Sequence, residues 1–288
     1  MKSIRPCALL VQSLAVIILI VSFPFISKAN CPNTPFESGV AAAPSRPNFA
    51  NTADILQEGV VEFEYGYSHS WVTEGNSQSD LPGLIRFAPF CDLEIRLGND
   101  NLMQMQHPGQ TERGLGDSWL TTQYEFWRQT KNTPALAISY GLKIPNADLG
   151  KGLGTGEFDH SFTFQTNKNF GKTTVTFNSS FNLAGRIAAP GFDRNEFFAG
   201  NFARPVHGKF GITGELYNAT RLNSETRGYT GTLWAVTYAQ NPRLEFDAGV
   251  DLGLTAGVAH QRAYFGVSYA IGELYPSLRP PKHRTPES

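Results

Sequence analysis

Val61-Glu62-Phe63-Glu64-Tyr65-Gly66-Tyr67-Ser68-His69-Ser70-Trp71 decides the fold of this chain. Val61, Phe63, Tyr65, Tyr67, His69 and Trp71 share one parity, and Glu62, Glu64, Gly66, Ser68 and Ser70 share the other. A period of two belongs to a strand, whose successive side chains point to opposite faces; a helix would smear these charges around its whole circumference. The stretch Leu244-Glu245-Phe246-Asp247-Ala248-Gly249-Val250-Asp251-Leu252-Gly253-Leu254 repeats the pattern almost without fault. About a dozen such segments follow one another between residues 59 and 272, at 61–71, 81–89, 92–98, 117–127, 135–144, 158–166, 173–183, 196–204, 209–218, 229–239, 244–254 and 263–271. Alternation of this kind, with no apolar run long enough for a membrane helix after the N-terminus, predicts an all-β fold: a transmembrane antiparallel up-and-down β-barrel of about 12 strands, apolar face to lipid and polar face to a lumen.

The connections point the same way. Those after odd strands are mostly longer (72–80, 99–116, 145–157, 184–195, 219–228 and 255–262), and those after even strands are short. Long external loops and tight periplasmic turns alternate in outer-membrane barrels, whereas a soluble sandwich has no reason to alternate so. An even strand count also places both termini on the periplasmic side. Trp71, Trp127, Trp234 and Tyr238 are expected at strand ends, as interfacial girdles. An Arg on the lipid-facing parity, at Val250 or Phe246, is expected to be costly, and a Ser at inward Gly249 or Asp251 mild.

Lys2 and Arg5, an apolar stretch from Ala8 to about Ile26, and Ser27-Lys28-Ala29 have the form of a cleaved export signal. The expected organisation is therefore a signal peptide over 1–29, an irregular arm rich in Pro, Ala, Asn and Ser over 30–57, the barrel over 58–275, and a Pro-rich basic tail over 276–288. A formal charge of −1 gives no footprint for nucleic acid. Of three cysteines, Cys31 and Cys91 follow the signal, fall at one end of the expected barrel, and are candidates for a disulfide in an oxidising compartment.

No catalytic or metal centre is marked, and no cofactor is expected. The run Lys151-Gly152-Leu153-Gly154-Thr155-Gly156 lacks the helix and the Gly-Lys-Ser/Thr ending of a phosphate loop, and reads as a flexible external loop. The six histidines show no metal-ligand spacing. His69 beside Ser70, and His160 beside Ser161, point to opposite faces, so neither pair is a nucleophile and its base. The inward charges are the candidates for function: Glu62, Glu64, Asp92, Glu94, Asp117, Glu125, Asp159, Glu215, Glu245, Asp247 and Asp251, with Arg96, Lys143, Arg204 and Lys209 as inward cations. Charges enclosed by a dozen strands are paired or hydrated. Either they line an acidic path that tunes permeation, or they form a salt-bridged filling.

Several motifs together resemble the outer-membrane transporter family named for the meta pathway of phenol degradation. They are Arg46-Pro47-x-Phe49, Glu62-x-Glu64-x-Gly66-Tyr67, Leu93-Glu94-Ile95-Arg96-Leu97-Gly98, Gly114-Leu115-Gly116-Asp117, Gly141-Leu142-Lys143-Ile144-Pro145, Gly214-Glu215-Leu216-Tyr217, Leu244-Glu245-x-Asp247-x-Gly249 and Phe265-Gly266-Val267-Ser268-Tyr269. Two departures are Pro145-Asn146-Ala147, where similar proteins carry Pro-Thr-Gly, and the tail after the last strand, where many barrels end on an aromatic. The resemblance implies an outer-membrane channel or transporter for small solutes, with aromatic or hydrophobic compounds as one class, and brings no catalytic residues. The alternatives are a non-conducting structural or adhesive barrel and a membrane lipid-modifying enzyme. Expected partners are outer-membrane lipid, a small-molecule solute and the barrel-assembly machinery. The oligomeric state is open, with a monomer favoured.

Overall fold

A computed structural model describes residues 39–73, 75–187, 189–222, 226–255 and 261–274. The expected signal peptide and the C-terminal tail lie outside these residues. Among the described residues, thirteen strands form one antiparallel sheet: β1 (Val60–Thr73), β2 (Asn76–Phe90), β3 (Leu93–His107), β4 (Gln110–Gly114), β5 (Ser118–Trp127), β6 (Ala135–Ile144), β7 (Asp159–Phe170), β8 (Thr173–Gly185), β9 (Phe192–His207), β10 (Phe210–Ala219), β11 (Tyr229–Asn241), β12 (Leu244–Gly253) and β13 (Gln261–Glu273). Each barrel strand pairs with its sequence neighbours, and β13 pairs back onto β1, with Gly66 opposite Gly266. The short β4 pairs only with the outer part of β3, so the closed wall has twelve strands, as the alternation predicted. Closure leaves no edge in the wall, the condition for a sheet to cross lipid.

The faces follow parity. Arg96 is 6 % exposed and its neighbour Leu97 is 51 % exposed. Phe63, Ile85, Ile138, Phe164, Phe177, Val236, Phe246 and Val250 stand outward in the same way, while Glu62, Glu64, Gln123, Gln165, Asn178 and Asp251 are buried inside. An apolar belt of this extent would be intolerable in water and is at home in lipid. No helix among the described residues is long and apolar enough to cross a membrane.

Four expectations are corrected. Segments 72–80 and 99–116 are mostly not irregular loops: β1–β2 and β3–β4 continue as paired hairpins past the apolar belt, because ladder bonds persist where both faces meet water. The Gly-rich run is not a loose loop. Leu149–Lys151 forms a 3₁₀ turn capped by the Asp148 side chain, and Leu153 is buried. Gly154 passes so close to Asp117 that a Cβ there would lie 2.9 Å from its carboxylate oxygens. Trp234 is not at a strand end; it sits mid-β11, opposite Gly214 and Val250, where its ring covers the bare glycine.

Cys91, at the β2–β3 turn, is disulfide-bonded. Cys31, its expected partner, lies outside the described residues. If the long-loop end faces out, a cysteine at exposed Gln106, in a background without native cysteines, reacts with an impermeant reagent on intact cells, and one at Asn132 does not. The opposite labelling would reverse the barrel.

Candidate functional site: a lumen divided by the N-terminal arm

Eight strands already make a barrel whose interior side chains fill; twelve leave room for more. Here the room in the short-turn half is taken by the arm. Residues 41–57 have no strand or helix, so their backbone N–H groups need partners from elsewhere. Inward side chains of the wall supply many of them. Ala43 N donates to Glu62 Oε2 at 2.7 Å, and Ser45 N to Glu64 Oε1 at 2.9 Å. The Arg46 side chain reaches Asp247 on β12. Phe49 N donates to Glu215 on β10, at 3.0 Å to Oε2. Asn51 N and Ala53 N donate to the amide oxygens of Asn178 on β8 and Asn167 on β7, at 2.8 and 2.7 Å. Gln123 Nε2 on β5 donates to the carbonyls of Thr52 and Ala53, each at 3.0 Å. Leu56 N ends the series on Glu94 Oε2 of β3 at 2.9 Å. The arm thus makes one circuit of the lumen, from β1 past β12, β10, β8, β7, β5 and β3, and runs into β1 at Val60.

The predicted carboxylates separate into groups. Glu62, Glu64 and Glu94 meet on the fully buried Arg86, whose guanidinium donates to Glu62 Oε1 at 2.9 Å, Glu64 Oε1 at 3.1 Å and Glu94 Oε1 at 2.9 Å. Arg86 also donates to the carbonyl of Ala43, and Arg96 joins through Glu94 and Gln123. Three carboxylates against two guanidiniums are made good by the arm N–H groups. This part of the lumen is a hydrogen-bonded filling.

Near the outer end, Lys143 pairs with Asp159 and lies 3.8 Å from Asp117 Oδ2, while Asp117 Oδ1 accepts from Ala147 N at 3.0 Å. These groups pin the Gly-rich turn. Asp251 accepts from the Tyr217 hydroxyl and, at 3.0 Å, from Arg262 Nη2. Glu125 stands 3.8 Å from Arg128 near the short-turn end.

Glu245 lines the inner chamber. Three residues stand apart from this buried set. Asp92 lies in the β2–β3 turn, not on a strand, and its carbonyl accepts from Glu125 N. Lys209 is an exposed turn residue at the rim of the inner chamber, and its Nζ reaches the carbonyl of Gln240. Arg204 pairs opposite outward Ile212 and is exposed. For Asp92 and Lys209 alternation was extended into turns, where it does not fix the face; Arg204 lies within β9, three residues past buried Asn201, where parity itself turns it outward.

Two chambers flank the arm. The outer one has a volume of about 500 Å³, and its wall includes Trp119, Phe49, Phe197, Tyr264, Arg262, Asp80 and Asp100. The inner one, of about 470 Å³, is bounded by Thr176, Asn201, Thr237 and Glu245. Ser45, Arg46, Pro47, Asn48 and Asn51 border both, so this stretch is the partition. Arg86, Arg262 and the carboxamides of Gln123, Asn167, Asn178 and Asn201 were not singled out from sequence. Arg86 had a readable signal: it alternates with outward Ile85 and Phe87. The carboxamides had none beyond parity.

The His69–Ser70 and His160–Ser161 neighbours do diverge. The structure instead sets His69 Nδ1 2.8 Å from Ser79 Oγ across β1 and β2, and His160 Nδ1 2.8 Å from the Tyr140 hydroxyl. Neither histidine has a carboxylate hydrogen-bonded to its ring among the described residues, so neither shows the base-and-orienter arrangement of a hydrolase.

A family model described as "Putative MetA-pathway of phenol degradation" matches residues 44–271. No curated protein matches the sequence. Among solved structures, the COG4313 outer membrane channel from Pseudomonas putida F1 superposes with a TM-score of 0.62 at 13 % identity, covering 79 % of this chain and 99 % of that one. A KdgM porin gives a TM-score of 0.49 at 12 % identity, over 72 % of this chain and 98 % of the porin. The matched span holds the partition, the circuit of the lumen and nearly the whole barrel, and the chain belongs to the outer-membrane family described as the putative MetA pathway of phenol degradation.

Proposed function

We propose that the protein is an outer-membrane channel for small solutes, with the arm stretch 45–51 as its constriction. The observation that carries this reading is the pair of chambers on the two faces of that stretch inside one closed barrel. A structural barrel has no need of solvent-sized space on both sides of a partition. The outer chamber suits small aromatic or hydrophobic compounds: Trp119, Phe49, Phe197 and Tyr264 offer ring faces and edges beside the hydroxyls of Ser139, Ser161 and Thr163. The phenol pathway in the family description agrees with this class. Asp80 and Asp100 also border this chamber, and no cation pairs with either among the described residues, so the mouth favours cations among charged solutes. Glu62, Glu64 and Glu94 do not set that preference, because Arg86, Arg96 and the arm already occupy them.

Planar-bilayer recording and liposome swelling test the reading together. The expected result is a small, cation-preferring conductance, reduced in preference by the double change Asp80→Asn and Asp100→Asn. Swelling is expected to be faster with small aromatic solutes than with sugars of similar size. A folded, inserted protein that neither conducts nor supports swelling is instead the non-conducting structural or adhesive barrel.

A further inference from the structure

We propose that the barrel wall carries a guanidinium-binding seat formed by Gly66, Gly266 and Asp247, that the chain's own Arg46 occupies it, and that its occupancy holds the partition in place. The second part rests on the reading of stretch 45–51 as the constriction.

The seat is built by three strands in register. Gly66 on β1 lies directly opposite Gly266 on β13, and Gly266 is directly opposite Asp247 on β12. The two glycines leave bare backbone side by side on the inner face, and the Arg46 guanidinium lies over both. A Cβ on Gly66 would stand 2.7 Å from Arg46 Cζ, and one on Gly266 only 2.6 Å from it. A flat group fits where a methyl does not. Asp247 meets the edge of the plate: Oδ2 accepts from Nε at 3.1 Å and Oδ1 from Nη2 at 3.1 Å. Nη2 also lies 3.4 Å from the carbonyl of Phe265. This is the two-pronged geometry that guanidinium makes with a carboxylate and a compact ammonium cannot. The Asp247 side chain is 3 % exposed, so it is held away from the solvent that weakens surface ion pairs.

The sequence positions reinforce this. Arg46-Pro47, Gly66, Asp247 and Gly266 each belong to a different motif of the family resemblance, Arg46 and Asp247 lie 201 residues apart, and all converge on this one seat. Both Arg46 and its neighbour Ser45 also donate backbone N–H groups to Glu64. The turn at 45–46 is therefore fastened to β1 by its backbone and to β12 and β13 by its side chain, and from there the arm crosses to Glu215 on β10. Without the side-chain fastening, the stretch between Glu64 and Glu215 keeps the bond from the Thr213 hydroxyl to Asn48 Oδ1, at 3.0 Å, and loses its hold on β12 and β13.

The test uses full-length protein. Arg46→Ala should fold, because no buried backbone group is orphaned, but its unfolding temperature should fall, because the buried Asp247 carboxylate loses its guanidinium partner. Its conductance should rise several-fold over wild type. Methylguanidinium at millimolar concentration should bring the conductance of Arg46→Ala back toward wild type and raise its unfolding temperature. Methylammonium should bind about tenfold or more weakly, since it cannot meet both carboxylate oxygens. Gly266→Ala alone should evict Arg46 and copy the high conductance, and in the Arg46→Ala background it should abolish both effects of methylguanidinium. Rescue by methylammonium as strong as by methylguanidinium, or rescue that survives Gly266→Ala, overturns the seat. Selective thermal stabilisation with unchanged conductance keeps the seat and overturns its hold on the partition. If neither wild type nor any variant conducts, the channel reading fails, and the thermal measurement alone still decides the seat.

Discussion

Replacing Arg86 with Met is expected to lower barrel stability by about 3–5 kcal/mol, the usual cost of stranding buried charge. Arg86 is 2 % exposed and is the common partner of Glu62, Glu64 and Glu94, which are themselves fully buried. Met fills a similar volume, so packing changes little and the loss reports the charge. After the change, Arg96 is the one cation left in contact with Glu94 among the described residues, and Glu62 and Glu64 keep the arm's N–H groups and the Ser45 hydroxyl. Desolvated carboxylates gathered on one site repel strongly. Part of the response should be local: the arm loses the bond from Arg86 to the carbonyl of Ala43 and becomes more accessible to protease. Urea titration of the folded band on unheated gels measures the global effect. A loss below about 1 kcal/mol, the size seen for exposed ion pairs, would show that water reaches these carboxylates and that the cluster is part of an aqueous path.

The second large effect is on the lipid face. Val250→Arg is expected to cost about 2–4 kcal/mol if the position lies near the midplane. Val250 is outward, 43 % exposed in the belt, between Trp234 on β11 and Ala263 on β13. The matched control is Ser139→Arg, which aims the same side chain into the outer chamber and should cost little. Equal losses would mean that the assigned faces are wrong. The inward positions beside Val250 are poor controls, contrary to the expectation from parity. A Cβ at Gly249 would come within 2.8 Å of the Ala235 Cβ and closer still to the carbonyl of Trp234. Asp251 holds Tyr217 and Arg262. Inward does not mean roomy when a neighbouring strand sits against the same spot.

The sequence by itself determined which way each side chain faces and how many strands cross. Alternation is a relation between residue i and residue i+2 on one extended chain, so Glu62, Glu64, Glu94, Glu215, Asp247 and Asp251 could be placed inside without knowing a single contact. It lost accuracy at the rims, as at Asp92 and Lys209, where strands give way to turns and parity no longer fixes direction. Only the tertiary structure decided which inward groups meet. Arg46 reaches Asp247 across 201 residues, and Leu56 reaches Glu94. Those meetings depend on the stagger between strands, on β13 closing onto β1, and on the path of an arm with no periodicity of its own. The carboxylates that read as an ion path proved to be acceptors for the arm's backbone, because irregular chain inside a closed barrel must find its hydrogen bonds on the surrounding wall.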